Sequence, residues 1–76
     1  MRLVRVDPEK RMDRWYAVFA ILTLFGEPAV LCMWGSRRTA YQRHRLIPCA
    51  SVEEARERAA AIAWRKRRRG YRPMPE

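Results

Sequence analysis

The chain has little of what catalytic and metal sites are built from. It holds one histidine, two cysteines and three glycines. Cys32, Cys49 and His44 fall short of four ligands and are too widely spaced for a metal site. A nucleophile–base pair would need one of those cysteines beside His44, and nothing in the spacing brings them together. No glycine-rich loop of the P-loop or dinucleotide type is present. We therefore expect no catalytic residue, metal, cofactor or small-molecule substrate, and a protein that is not an enzyme. The cysteines read as small buried thiols. A Cys32–Cys49 disulfide stays open on spacing and would require an oxidising compartment.

Acidic residues are also scarce. Eight Asp and Glu face 17 Lys and Arg, for a formal net charge of +9. Most of the cations are arginine, whose planar fork matches phosphate oxygens and stacks on flat rings. Such a surface favours polyanionic partners, nucleic acid first. Disorder is not expected, because 49% of the residues are apolar and 11% aromatic. With 76 residues there is room for one domain, here 1–76, with a thin core.

The long apolar run from Trp15 to Phe25 follows Lys10, Arg11 and Arg14, as in a signal peptide. It ends in Gly26-Glu27-Pro28 with no small-x-small cleavage site. A bilayer span reaching Gly35 would bury Glu27 at its centre, at about 2.5–3.5 kcal/mol. No membrane association is expected, and the cytoplasm is the expected location.

Residues 2–7 read as a strand that Asp7-Pro8 ends. Residues 9–14 read as a polar connection. Residues 15–25 are apolar on both alternating faces, so periodicity alone does not separate a buried strand from a helix. The turn at 26–28 and the second apolar run at 29–34 favour an antiparallel hairpin. Residues 39–47 suggest a more polar strand ended by Pro48. Ser51 and Glu54 form a capping box that opens a helix over about 52–69. Val52, Ala55, Ala59, Ile62, Ala63 and the stem of Lys66 share its apolar stripe, with Trp64 opposite. Gly70 supplies a left-handed cap and Tyr71 folds back after it. Residues 72–76 are expected as a loose tail. The fold class is α+β: an antiparallel sheet of about four strands packed against one C-terminal helix.

An ordered set of residues resembles the WGR domain family. It runs through Arg5-Val6-Asp7-Pro8, Arg14-Trp15-Tyr16, Phe25-Gly26, Leu31 and Trp34-Gly35. It continues through Ser51-x-x-Glu54-Ala55 to Lys66-Arg67-Arg68-Arg69-Gly70-Tyr71. The likeness covers about residues 3–72 and includes small stand-alone bacterial members. It implies an antiparallel sheet with one helix. It also implies DNA binding near strand breaks, with Trp34 against the sugar-phosphate backbone. The chain departs from the pattern at Ser36, where the motif has Arg. Either Arg37 or Arg38 supplies that guanidinium from next door, or the break-sensing contact is lost.

The candidate nucleic-acid-binding residues are Trp34, Arg37, Arg38, Arg43 and Arg45 around the hairpin, and Arg65, Lys66, Arg67, Arg68 and Arg69 at the helix end. Trp34 has core packing as its alternative role, the strand arginines a solvated face, and the helix-end cations simple dipole complementarity. Trp64 is either a stacking platform or buried against the N-terminal strand or tail. The expected partner is duplex DNA, bound through phosphates near ends or nicks. The competing reading is a protein-interaction module or homodimeric accessory subunit that ignores DNA.

Overall fold

The computed structural model describes residues 1–74. Five strands form one antiparallel sheet: β1 (Arg2–Asp7), β2 (Met12–Leu22), β3 (Pro28–Ser36), β4 (Gln42–Pro48) and β5 (Arg72–Pro73). Their spatial order is β4-β3-β2-β1-β5. One helix, α1 (Val52–Arg68), follows β4 in the chain and packs on β2 and β3.

The α+β class stands, with five strands where about four were expected. The extra strand is β5. Arg72 and Pro73 pair with Val4 and Leu3, and the Met74 amide donates to the Arg2 carbonyl. The expected loose tail is thus corrected over 72–74, where the backbone closes the β1 edge of the sheet. Proline is admissible there because β5 is itself an edge and needs no outward donor. Pro75 and Glu76 lie outside the described residues.

The polar connection expected at 9–14 is shorter. A single 3-10 turn spans Pro8–Lys10, and Asp7 caps it by accepting from the Lys10 amide at 3.4 Å. Arg11 then takes the left-handed conformation, φ 52°, so that the chain can reverse into β2. β2 begins at Met12 and ends at Leu22, short of the expected Phe25. Thr23 closes the β2–β3 turn: its hydroxyl accepts from the Phe25 and Glu27 amides at 3.3 and 3.2 Å.

The register sorts side chains onto two faces. Tyr16 pairs with Leu3 and Trp34, and Val18 with Cys32, which puts these residues under the helix. Leu3, Val18, Val30 and Cys32 are almost fully buried there, with Ala55 and Ala63 of α1. The two alanines leave no bulk between helix and sheet, so the backbones approach closely. Burying Leu3 or Val30 contributes about 1.5–3 kcal/mol each.

The helix start and stop follow the sequence closely. The Ser51 hydroxyl accepts from the Glu54 amide at 3.0 Å. The Glu54 carboxylate reaches back to the Ala50 amide at 2.8 Å, one residue earlier than a capping box predicts. At the far end the Gly70 amide donates to the Arg67 carbonyl and the Tyr71 amide to the Lys66 carbonyl. That is a Schellman motif, and it needs the left-handed Gly70, φ 99°. Its effect is to swing Tyr71 back onto the sheet, edge-on to Tyr16 with centroids 6.3 Å apart.

Both cysteines carry free thiols, Cys32 buried and Cys49 half-buried. The apolar run at 15–25 is the first arm of a hairpin. Among the described residues no helix is long and apolar enough to cross a membrane.

Candidate nucleic-acid interface

A groove of about 1010 Å³ runs between the helix C-terminal half and the end of the sheet where β2 begins and β3 ends. Its floor is aromatic. Tyr16 and Trp34, cross-strand partners, stack with centroids 6.0 Å apart and planes 13° from parallel. The Lys66 ammonium stands 4.5 Å from the Tyr16 centroid and 5.7 Å from that of Tyr71. Burial, and next the repulsion from Arg69, pull the Lys66 ammonium below its ordinary 10.5. Burial, and then the Cys32 thiol beside it, push the Tyr16 phenol above its ordinary 10.0.

The walls are cationic and come from distant parts of the chain. The β1–β2 connection supplies Lys10 and Arg11, β2 supplies Arg14, β4 supplies Arg45, and α1 with its cap supplies Arg58, Arg65, Lys66 and Arg69. Asp13 is the acidic residue of the lining. Arg58 is half-exposed and pairs with Glu54 one turn back, Nε to Oε1 3.3 Å. An exposed pair of this kind holds little energy and leaves the guanidinium free to exchange partners.

Of the sequence candidates, Trp34, Arg45, Arg65, Lys66 and Arg69 line this groove. Arg43 falls in a neighbouring hollow of about 450 Å³, where Trp34 forms a shared wall with Gln42, His44 and Arg45. Arg67 and Arg68 line neither space, because residues 58, 62, 65, 66 and 69 share one helical face and 67 and 68 do not. Arg37 and Arg38 also stay outside. Arg37 is drawn to Asp13, Nε to Oδ1 3.4 Å, an ion-pair distance without hydrogen-bond alignment. Ser36 accepts from the Arg38 amide at 3.1 Å and so fixes the start of the β3–β4 turn.

The guanidinium beside Ser36 comes from a position the sequence reading passed over. Arg14 is the cross-strand partner of Ser36, on the same face, and lines the groove. A serine there leaves room for it. Arg58, Arg14, Lys10, Arg11 and the Tyr16–Tyr71 pair are the site residues that sequence reading missed. Helical spacing from Arg65 and Lys66 points to Arg58. The hairpin register counted back from the Thr23 turn points to Arg14.

Gly35 explains the dipeptide Trp34-Gly35. Its φ is ordinary, but a Cβ there would collide with the Tyr41 carbonyl and come within 3.0 Å of the Trp15 indole nitrogen. Glycine lets β3 and the start of β4 close beside Trp34. Trp64 does not take part: it is 61% exposed on the outer helix face, away from the groove, and is not buried against the N-terminal strand or tail.

A five-stranded sheet backed by one helix, with a basic aromatic groove at one end, defines a small α+β domain. The family model of the WGR domain matches residues 1–76, and the chain belongs to that family. WGR domains are in general nucleic-acid-binding modules. The chain is also similar to an uncharacterized protein, y4dW, of Sinorhizobium fredii (strain NBRC 101917 / NGR234). The two are 36% identical over 71 residues, covering 93% of this chain and 34% of the relative. This chain thus spans about a third of that protein's length. No solved structure matches it significantly.

Proposed function

We propose that the groove holds the sugar-phosphate backbone of duplex DNA, at or near an end or a nick, and that the protein acts by binding and not by catalysis. The observation that carries the reading is convergence. Cations from the β1–β2 connection, β2, β4 and α1 meet over one stacked Tyr16–Trp34 pair. Eight of the 17 Lys and Arg residues line this one groove.

In this reading the arginines neutralise phosphates and release counterions, and Lys66 acts as a compact charge held over the rings. The Trp34 edge meets a sugar or an unstacked terminal base. Sequence preference is weak, because no element is shaped to enter the major groove and read base edges. The preference for an interruption comes from the ring floor, which a continuous stacked duplex leaves unused.

The test is fluorescence anisotropy with intact, nicked and blunt-ended duplexes and single strands, across a salt series. With about five phosphates engaged, log affinity falls against log salt with a slope of about −4.5. Binding that ignores salt, or equal affinity for a covalently closed circle and a nicked one, would sink the proposal.

A further inference from the structure

Among the described residues no element covers the face of the sheet opposite the helix, and the middle of that face is apolar. Alternation places Phe19, Leu31 and Leu46 in one cross-strand row on it, with Ile21 and Met33 beside them. None belongs to the core cluster under the helix, and Leu46 is 47% exposed. A one-sided antiparallel sheet ordinarily turns polar residues to water. Here both faces of β2 and β3 are apolar, which is why the 15–25 run showed no clean alternation. At the end of this hairpin Leu24 and Phe25 stand almost wholly in solvent.

Charge separates the two faces further. Between Arg14 and Arg37 the sole charged residue is Glu27. Among the described residues, cations reach the open face at its rim, through Arg2 and Arg72 at the β1–β5 margin and through Arg37, which pairs with Asp13 at the start of β2. The basic groove lies on the helix side.

We propose that a second copy of this chain covers the open face, sheet against sheet, to form a two-fold dimer with its basic grooves on the outside. A chain of net charge +9 repels its own copy, and this is the surface where that repulsion is least. A two-fold contact asks only that a surface fit itself, which a gently twisted apolar sheet does. The area is sufficient. Four strands spaced about 4.8 Å apart, with about 3.3 Å per residue, give a face of roughly 500 Å² per copy, apolar at its centre and polar at its rim. The pair then buries roughly 1,000 Å², the lower bound of a specific interface. Pairing through the β4 edge is disfavoured because Arg43, His44 and Arg45 crowd it, as charged edge strands commonly do. The dimer does not depend on the DNA reading, and it would let one assembly hold two nucleic-acid segments.

The experiment is sedimentation equilibrium of the full chain from about 5 to 500 µM, at low and high salt, without DNA. We expect a monomer–dimer equilibrium with a dissociation constant on the order of 10–100 µM. It should tighten with salt as repulsion is screened, the opposite sign from DNA binding. Leu46→Glu, on an already exposed side chain, should weaken it roughly tenfold or more while circular dichroism and DNA affinity per chain stay unchanged. The methyl resonance of Met33 should shift on dilution and that of Met12 should not, which needs no substitution at all. A monomer throughout the range overturns the proposal. So does a dimer that is indifferent to Leu46→Glu with a Met33 signal unmoved by dilution. Loss of DNA binding with the dimer intact would remove the proposed function and leave this inference standing.

Discussion

The Lys66 ammonium stands 4.5 Å over the centroid of Tyr16, which in turn stacks on Trp34. Three residues from α1, β2 and β3 thereby bring a positive charge and two aromatic rings together on the groove floor. The charge is held by ring faces, and among the described residues no carboxylate pairs with it, so an incoming phosphate has no ion pair of theirs to break there.

Removing cations should discriminate between positions that look alike in sequence. Arg58→Ala and Arg69→Ala should each weaken DNA affinity about three- to tenfold and make the salt slope shallower by about 1. Arg67→Ala and Arg68→Ala should change affinity by less than about twofold. Anisotropy titrations at two salt concentrations check this, and a larger effect at Arg67 than at Arg69 would show that the groove is not the contact surface.

Trp34 has two duties, and substitution should separate them. Trp34→Phe keeps a ring on Tyr16 and should leave stability within about 1 kcal/mol. It should still reduce the preference for nicked over intact duplex. Trp64→Ala should change neither quantity, because that indole is exposed and outside the groove. Thermal melts run beside the titrations decide it. An unchanged nick preference in the Phe variant would assign Trp34 to packing alone.

Gly35→Ala should destabilise the fold by about 1–3 kcal/mol, because the Tyr41 carbonyl, just ahead of β4, must retreat from the added Cβ. For a domain of this size the melting temperature should fall by about 4–8 °C per kcal/mol. Calorimetry reads the value directly. A neutral substitution would mean that the strands separate more easily than the close approach implies.

Alkaline pH should unfold the domain through Tyr16. Its phenol is raised above 10.0 in the folded state, so the neutral form is favoured there. The associated stability is fully present below pH 10.0, the unfolded value, and falls as pH rises above it. Lys66 acts with the opposite sign: its folded value is lowered, so stability rises with pH between that value and 10.5. Above pH 10.5 the Lys66 contribution is level while that of Tyr16 still falls, so the net slope there is downward. Tyr16→Phe should move the alkaline midpoint upward, followed by circular dichroism. A midpoint unchanged by Tyr16→Phe would place the titrating group elsewhere.

How much of this was legible in the sequence depended on the range of the interactions involved. The helix was legible from Ser51 to Gly70 because caps and the alanine stripe are local signals. The β2–β3 hairpin was legible in outline, but its start at Met12 was not. Asp13 and Arg14 look like loop residues until the partner strand is known, and each is polar because it sits at the groove end. β5 left no trace, since two residues ahead of a Pro-rich terminus become a strand only through the β1 edge they meet. The site was half legible. The cluster at 65–69 marked the right helix end, but only the helical angle separates 65, 66 and 69 from 67 and 68. Arg14 depended on register, which composition does not carry.

Arg11 holds a left-handed backbone that most side chains avoid, at the mouth of the groove. Glycine would adopt that conformation without the strain, which is on the order of 1 kcal/mol. A search for sturdier variants would therefore drift toward glycine at this position, and a search for tighter DNA binders would drift back. The residue marks where the fold's own comfort and the pull of a polyanion part company.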